Sequence, residues 1–266
     1  MVHIEVRGAF LFATLDAPAT RNALTDAMVN GLHSAVTQAT SNTMLRALVI
    51  RGSGHTFCAG GDFSRFRELM AAPAGAVDPI IGFNRAFGAL LEAIHGAPIA
   101  TIAVVEGAAF GGGAGLAACC NFVLASSSAE FATPEVTLGL PPAQITPFIV
   151  ARLGEATALR LLLSGQRLKA ADALACGLVD EVLSPEALEP RVTALLGQLR
   201  HAEPNALRAT KAIAHQHRHQ PLAATLDFAA QQFALALRSG QSAEGLAAFA
   251  ARRPAAWAVH DETQKP

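Results

Sequence analysis

The sequence predicts an α/β core followed by a run of helices at the C-terminal end. Three observations predict it. Short apolar segments closed by glycine read as strands, apolar residues recurring every three or four positions lie between them, and after residue 184 almost only the helical period is left. No internal repeat and no disordered linker interrupts the pattern.

Residues 3–16 alternate loosely around Arg7-Gly8 and predict a β-hairpin. Met28, Leu32 and Val36 then recur at four-residue intervals, so an amphipathic helix follows, with Thr25 as its N-cap. Ala47-Leu48-Val49-Ile50 is a buried strand ended by Gly52 and Gly54. Residues 71–79, rich in Ala, Pro and Gly, are expected to form a mobile loop. Ile80, Phe83, Phe87, Leu90, Leu91 and Ile94 share the next helix face, and Ile99–Val105 is a strand. Asn121–Ala125 and Leu178–Val182 are further strand candidates.

The bulk numbers narrow the class. With 266 residues, 52% hydrophobic and 15% charged, the chain buries a large core and is not a disordered chain. Twenty basic and 21 acidic side chains leave no basic excess for a polyanion surface, so no nucleic-acid partner is expected. Low charge on so apolar a chain also favours self-association. Cys58, Cys119, Cys120 and Cys176 lack metal-ligand spacing, so no metal site is expected and a reduced, cytoplasmic setting fits. The N-terminal stretch lacks a secretory h-region, and no apolar run nears the roughly 20 residues that span a bilayer, so no membrane association is expected.

Three stretches carry chemistry. Thr56-Phe57-Cys58-Ala59-Gly60-Gly61-Asp62-Phe63 follows a strand, and its glycines bring backbone N–H groups to a ligand without Cβ obstruction. An ordinary Gly-rich turn with Asp62 as a helix cap accounts for it equally well. Glu106 to Leu116 contains Gly111-Gly112-Gly113, which places open amides at a helix N-terminus, where orphan N–H groups favour a developing anion. The order is not G-x-G-x-x-G and no Gly-Lys-Ser/Thr follows, so neither a dinucleotide loop nor a P-loop is present. In the third stretch, Phe131 to Pro142, Glu135 lies among apolar residues, where desolvation suits a carboxyl group to move protons near neutral pH.

Together and in this order, the three stretches resemble the crotonase (enoyl-CoA hydratase/isomerase) superfamily. The resemblance runs from about Leu11 to the C-terminus and includes Leu15-Asp16-Ala17-Pro18, Arg21-Asn22-Ala23-Leu24, Ala171–Asp180, Glu244–Phe249 and Arg252-Arg253-Pro254. It implies a crotonase-like (ClpP/crotonase) spiral of ββα units over residues 1–195. Residues 196–266 would be a helical oligomerisation region giving trimers or dimers of trimers. It further implies that the amides of Ala59 and Gly112, with Gly111 in the same turn, form an oxyanion hole for the thioester carbonyl of an acyl-CoA. The loop around Arg21 and Ala23 and the segment Gly60, Gly61 and Asp62 would border the CoA adenine. Phe249 and Arg252 of a neighbouring subunit would approach it. No cofactor is implied, CoA being part of the substrate.

Hydratases of the crotonase type use two glutamates. Glu135 matches the second; Gly115 stands at the first. The segment Leu138 to Val150, with Gln144 inside it, resembles hydratases of 3-branched glutaconyl-CoA thioesters, such as methylglutaconyl- and isohexenylglutaconyl-CoA. The implied function is therefore hydration of a 2-enoyl-CoA, branched or carboxylated, with Glu135 moving the proton and Gln144 donating to a distal carboxylate or to water. Gln144 reads equally as a polar residue opening the next helix. An enoyl-CoA isomerase using Glu135 alone is the alternative, and a non-catalytic CoA- or RNA-binding relative the third reading. A carboxylate restored by Gly115→Glu is expected to raise activity on crotonyl-CoA unless substrate or helix packing fills that space. His201, His215, His217 and His219, with Lys211 and Arg218, read as a solvated helix face, and His55 as a turn residue.

Overall fold

A computed structural model describes residues 1–71 and 78–258. Most of the loop expected at 71–79 lies outside the described residues. Strands β1 (Val2–Arg7) and β2 (Phe10–Leu15) form the expected hairpin, turning at Gly8 with φ 56°. Helix α1 (Asp26–Ser41) starts where predicted, with the Thr25 hydroxyl accepting the Met28 N–H at 3.2 Å. Strand β3 (Ala47–Gly52), helices α2 (Phe63–Ala71) and α3 (Pro79–Gly96), and strand β4 (Ala100–Val105) follow. On α3, Leu90, Leu91 and Ile94 are buried as expected, but Ile80 at the first turn is exposed.

Beyond β4 the elements shorten. Strand β5 (Ala108–Phe110) leads into α4 (Gly112–Cys119), then β6 (Phe122–Ser126), β7 (Glu130–Ala132) and a 3-10 turn at Pro134–Leu138. Helices α5 (Thr146–Leu153) and α6 (Glu155–Ser164), strand β8 (Arg167–Lys169), helix α7 (Ala170–Ala175) and strand β9 (Glu181–Leu183) complete the core. Helices α8 (Pro185–Arg200), α9 (Pro204–Gln216), α10 (Leu222–Arg238) and α11 (Gln241–Ala250) confirm that only helices follow residue 184 among the described residues. Strand β9 begins three residues later than expected. Leu178 and Val179 are buried in the turn before it, and the Asp180 carboxylate takes the Val123 N–H at 2.7 Å at the start of β6.

Six strands make one sheet in the order β1-β2-β3-β4-β6-β9, parallel except for the first pair. A second sheet has the order β5-β7-β8. Alternation along β2 separates the two sides of the large sheet: Leu11, Ala13 and Leu15 pack with α1 and α3, while Phe10 and Phe12 join Val49, Ile102, Val104 and Leu124 under α8. Leu188, Val192, Leu195 and Leu196 of α8 are part of that second core. The division expected at 195/196 therefore falls inside a helix packed on the sheet. Buried Arg46 fastens the C-terminal region to β3. Its guanidinium donates to the carbonyls of Ala202 at 3.0 Å, Met44 at 3.3 Å and Trp257.

The histidine stretch is not the solvated face expected. His217 and His219 are exposed, but His215 stacks edge-on against His95 at 5.1 Å, and Arg218 contacts the same ring. Lys211 donates to Ile99 O at 2.7 Å and Asn121 Oδ1 at 2.8 Å. Burial and the neighbouring cations hold His95 down at about 4, and burial holds Lys211 at about 8. This face of α9 docks on the end of α3 instead of facing water. Among the described residues no three His, Cys, Asp or Glu side chains gather to hold a metal, the cysteines are unpaired, and no helix is long and apolar enough to cross a membrane.

Candidate active site

The three stretches converge. Asn22, fully buried with φ 56°, is the peg that joins the first two loops: its Oδ1 accepts the Ala17 N–H at 2.8 Å, and its Nδ2 donates to Ser53 O at 3.0 Å and Thr56 O at 2.7 Å. The chain then runs Leu24 against the second loop segment, with Leu24 N–H donating to Gly60 O at 2.8 Å. Cys58 pairs with β5 through Cys58 N–H to Ala108 O and Phe110 N–H to Cys58 O, both at 2.9 Å. Gly60 has φ 102°, and a Cβ there would stand 3.1 Å from Phe110 O, so only glycine allows this approach. Cys58 is a packing residue; burial pushes its thiol up to about 12.

Ala59 does not keep the role expected of it. Its N–H donates to the Arg21 carbonyl at 3.0 Å, so this amide is already satisfied inside the loop. Two residues on, the N–H of Gly61 makes no hydrogen bond among the described residues. The same holds for Gly112, which opens α4 with Gly111 as its N-cap, so the amide belongs to the unsatisfied first turn. Arg21, in the left-handed region at φ 53°, is exposed, and Ala23 sits in the same turn. Asp62 is a cap for α2: its Oδ1 accepts the Ser64 N–H at 2.9 Å, and the Ser64 bonds hold its carboxyl below the usual range. His55 is exposed at a turn with φ 54°, 3.5 Å from Glu106.

Glu135 reaches this turn from the other side. Pro134 starts its 3-10 turn, Gly139 in the left-handed region ends it, and buried Thr133 ties it to α6 by donating to Leu161 O at 3.3 Å. A Cβ on Gly111 would lie 2.7 Å from Glu135 Oε1, so the carboxyl group sits directly against the N-cap of α4. Its Oε2 is buried and has no hydrogen-bond partner. Burial raises its pKa above the ordinary carboxylate value. At Gly115, one turn into α4, the space is taken by the Ile145 side chain. Gln144 donates to Asn84 Oδ1 of α3 at 2.7 Å. Phe249, 84% exposed, lies in the last turn of α11 and Arg252 just beyond it, and among the described residues no contact joins them to the Glu135 turn.

A half-buried carboxyl with a raised pKa and one unpartnered oxygen, beside open amides at a helix N-terminus, is equipped to move a proton next to a carbonyl that gains negative charge. A model of the enoyl-CoA hydratase/isomerase family matches residues 5–260. The chain belongs to the enoyl-CoA hydratase/isomerase family. It is an enzyme of this family, of the enoyl-CoA hydratase type, and has the crotonase-like fold expected. The family likeness spans nearly the whole chain. The crotonyl-CoA hydratase of Syntrophomonas wolfei subsp. wolfei is 32% identical over 250 residues, 91% of each chain. The 2,3-dehydroadipyl-CoA hydratase of Escherichia coli is 32% identical over 245 residues, 91% of this chain and 92% of its own. The crystal structure of an enoyl-CoA hydratase/isomerase from Marinobacter aquaeolei superposes with a TM-score of 0.94 at 38% identity, covering 97% of this chain and 99% of that one.

Proposed function

We propose that this enzyme adds water to a 2-enoyl-CoA whose acyl group is branched or carries a second carboxylate, with Glu135 as its single acid–base group. The observation that carries this reading is the buried, unpartnered Oε2 of Glu135 beside the α4 N-terminus, with Gly115 and Ile145 where a second carboxylate would project. The thioester carbonyl accepts hydrogen bonds from the amides of Gly112 and Gly61. Each such donor is worth roughly 2.7–4 kcal/mol to a developing oxyanion. Glu135 takes a proton from water as the water oxygen bonds to C3 and the π electrons move to the thioester oxygen. The same carboxyl then returns that proton to C2 as the enolate collapses, so one water is added and Glu135 is regenerated.

The diacid part of this proposal is supported by the E. coli relative, named for a 2,3-dehydroadipyl thioester. Arg21, Ala23, Gly60 and Asp62 would border the CoA adenine, and Phe249 and Arg252 would reach it from a neighbouring subunit. CoA arrives as part of the substrate, and no resident cofactor is needed for these steps. Glu135→Gln keeps the shape but cannot take the proton, so the hydration rate should fall by about 10²–10⁴-fold while acyl-CoA binding, measured by calorimetry, persists. Near-normal turnover would end this reading. Double-bond migration without water uptake by the wild-type enzyme would establish the isomerase instead.

A further inference from the structure

The contact between Gln144 and Asn84 is built, not incidental. A Cβ at Gly88 would run into the Gln144 carboxamide, so the pair can form only because α3 has a glycine there. Asn84, Phe87 and Gly88 stand at i, i+3 and i+4 and share one helix face. The Phe87 ring in turn lies on the active-site turn, 3.1 Å from where a Cβ of Gly112 would be. Asn84 is therefore about one turn, ~5 Å, along α3 from the residue that packs on Gly112. Next to Gln144, buried Ile145 closes the space over Gly115. The residues packed on the first two turns of α4 thus combine an apolar patch, Phe87 and Ile145, with one adjoining amide pair.

With Oδ1 accepting from Gln144, the Asn84 Nδ2 keeps both N–H groups, and neither has a partner among the described residues. The residue is half-buried. The adjacent cation, Arg85, is committed to Glu92 at 2.7 Å. Two oriented donors and no free charge call for an acceptor on the ligand.

We propose that Asn84, held in register by Gln144 across the gap left at Gly88, determines specificity for the acyl end by donating to a carboxylate oxygen of the substrate tail. This rests on the hydratase reading above. Gln144 is on this account a positioning residue, acting through Asn84 and not on the substrate.

The test is the ratio of kcat/KM for 3-methylglutaconyl-CoA to that for crotonyl-CoA, in the full-length enzyme. Asn84→Ala should lower this ratio about 10- to 100-fold, as expected for a lost bond to a charged group, and the loss should fall on KM. Gln144→Glu keeps the size but exchanges the donor for an acceptor. Asn84 should then turn its Nδ2 to residue 144 and present Oδ1 to the substrate, so the ratio should fall at least as far in a variant that melts like wild type. Gly88→Ala, which displaces Gln144, should lower the ratio too. An unchanged ratio in Asn84→Ala, or in a folded Gln144→Glu, overturns the assignment and leaves hydration standing. A wild-type enzyme that hydrates neither thioester overturns the hydratase reading and this assignment with it.

Discussion

Glu135 is placed by residues that leave one of its carboxyl oxygens without a partner. Gly111 yields the space for its carboxyl, and Oε2 stays buried and unpartnered, so desolvation of the ionised form outweighs the one backbone N–H, that of Glu135 itself, which favours it. Its raised pKa means that the folded protein keeps a proton over a window in which the unfolded chain has released it. Stability therefore falls as pH rises from the ordinary carboxylate value through the folded one, and remains lowered at neutral pH. Glu135→Gln removes that cost. In differential scanning calorimetry the variant should melt above wild type at pH 7, and the gap should close below the ordinary carboxylate range. A variant that melts lower at pH 7 would show that the ionised carboxylate is stabilised by its surroundings. Glu135 and Gly112 were legible in the sequence because each follows a local rule: an acid among apolar residues, and glycines opening a helix. The Ala59 amide was not legible, because its partner is the Arg21 carbonyl, set by two left-handed residues in a distant loop. Asn84 gave no signal either, since its pairing depends on empty space at Gly88.

Helix α4 is only eight residues long and buried along nearly its whole length, so its N-terminus is fixed by packing rather than by propensity. Gly113 lets it approach Cys58, and Gly115 lets it take Ile145 of the turn before α5. Of the two outcomes expected for a carboxylate at 115, the structure selects helix packing: the added group meets Ile145, not an open pocket. Gly115→Glu should lose activity on crotonyl-CoA and destabilise the fold. Even Gly115→Ala should cost about 1–3 kcal/mol in urea unfolding, from overpacking. Adding Ile145→Ala should recover much of that loss, because the clash is with this one side chain. A Gly115→Ala protein as stable as wild type would mean that α4 and α5 separate easily. At this scale the longer elements were readable because α1 and α3 repeat their period over several turns, and β3 and β4 are continuous buried apolar runs. The three-residue strands β5, β7 and β8, which lie beside the Gly111 and Glu135 turns, are too short to repeat anything.

At the scale of the molecule, one surface remains unexplained by a single chain. Leu222, Leu226, Phe233 and Leu237 form a stripe along α10 at helical spacing, each more than half exposed, and Leu246 on α11 is 66% exposed. Core-facing residues of the same region are few: Thr225 on α10 and Ala248 on α11 are buried, whereas α8 buries four aliphatic side chains. A helix pair that shows its apolar side to water is stable only if another surface covers it. The low charge of the chain points the same way, and a second copy is the simplest cover, because a closed ring can repeat one contact. We therefore expect self-association through α10 and α11, with a mass in solution three or six times 27.5 kDa. Light scattering on the eluted protein measures this directly. Phe233→Glu with Leu226→Glu puts two charges in the stripe without touching the core and should release monomers. If Phe249 and Arg252 reach the CoA of a neighbour, those monomers should also lose affinity for the thioester while Glu135 and its turn remain intact. A wild-type protein that runs as a monomer at 27.5 kDa would leave the stripe without a partner of its own kind.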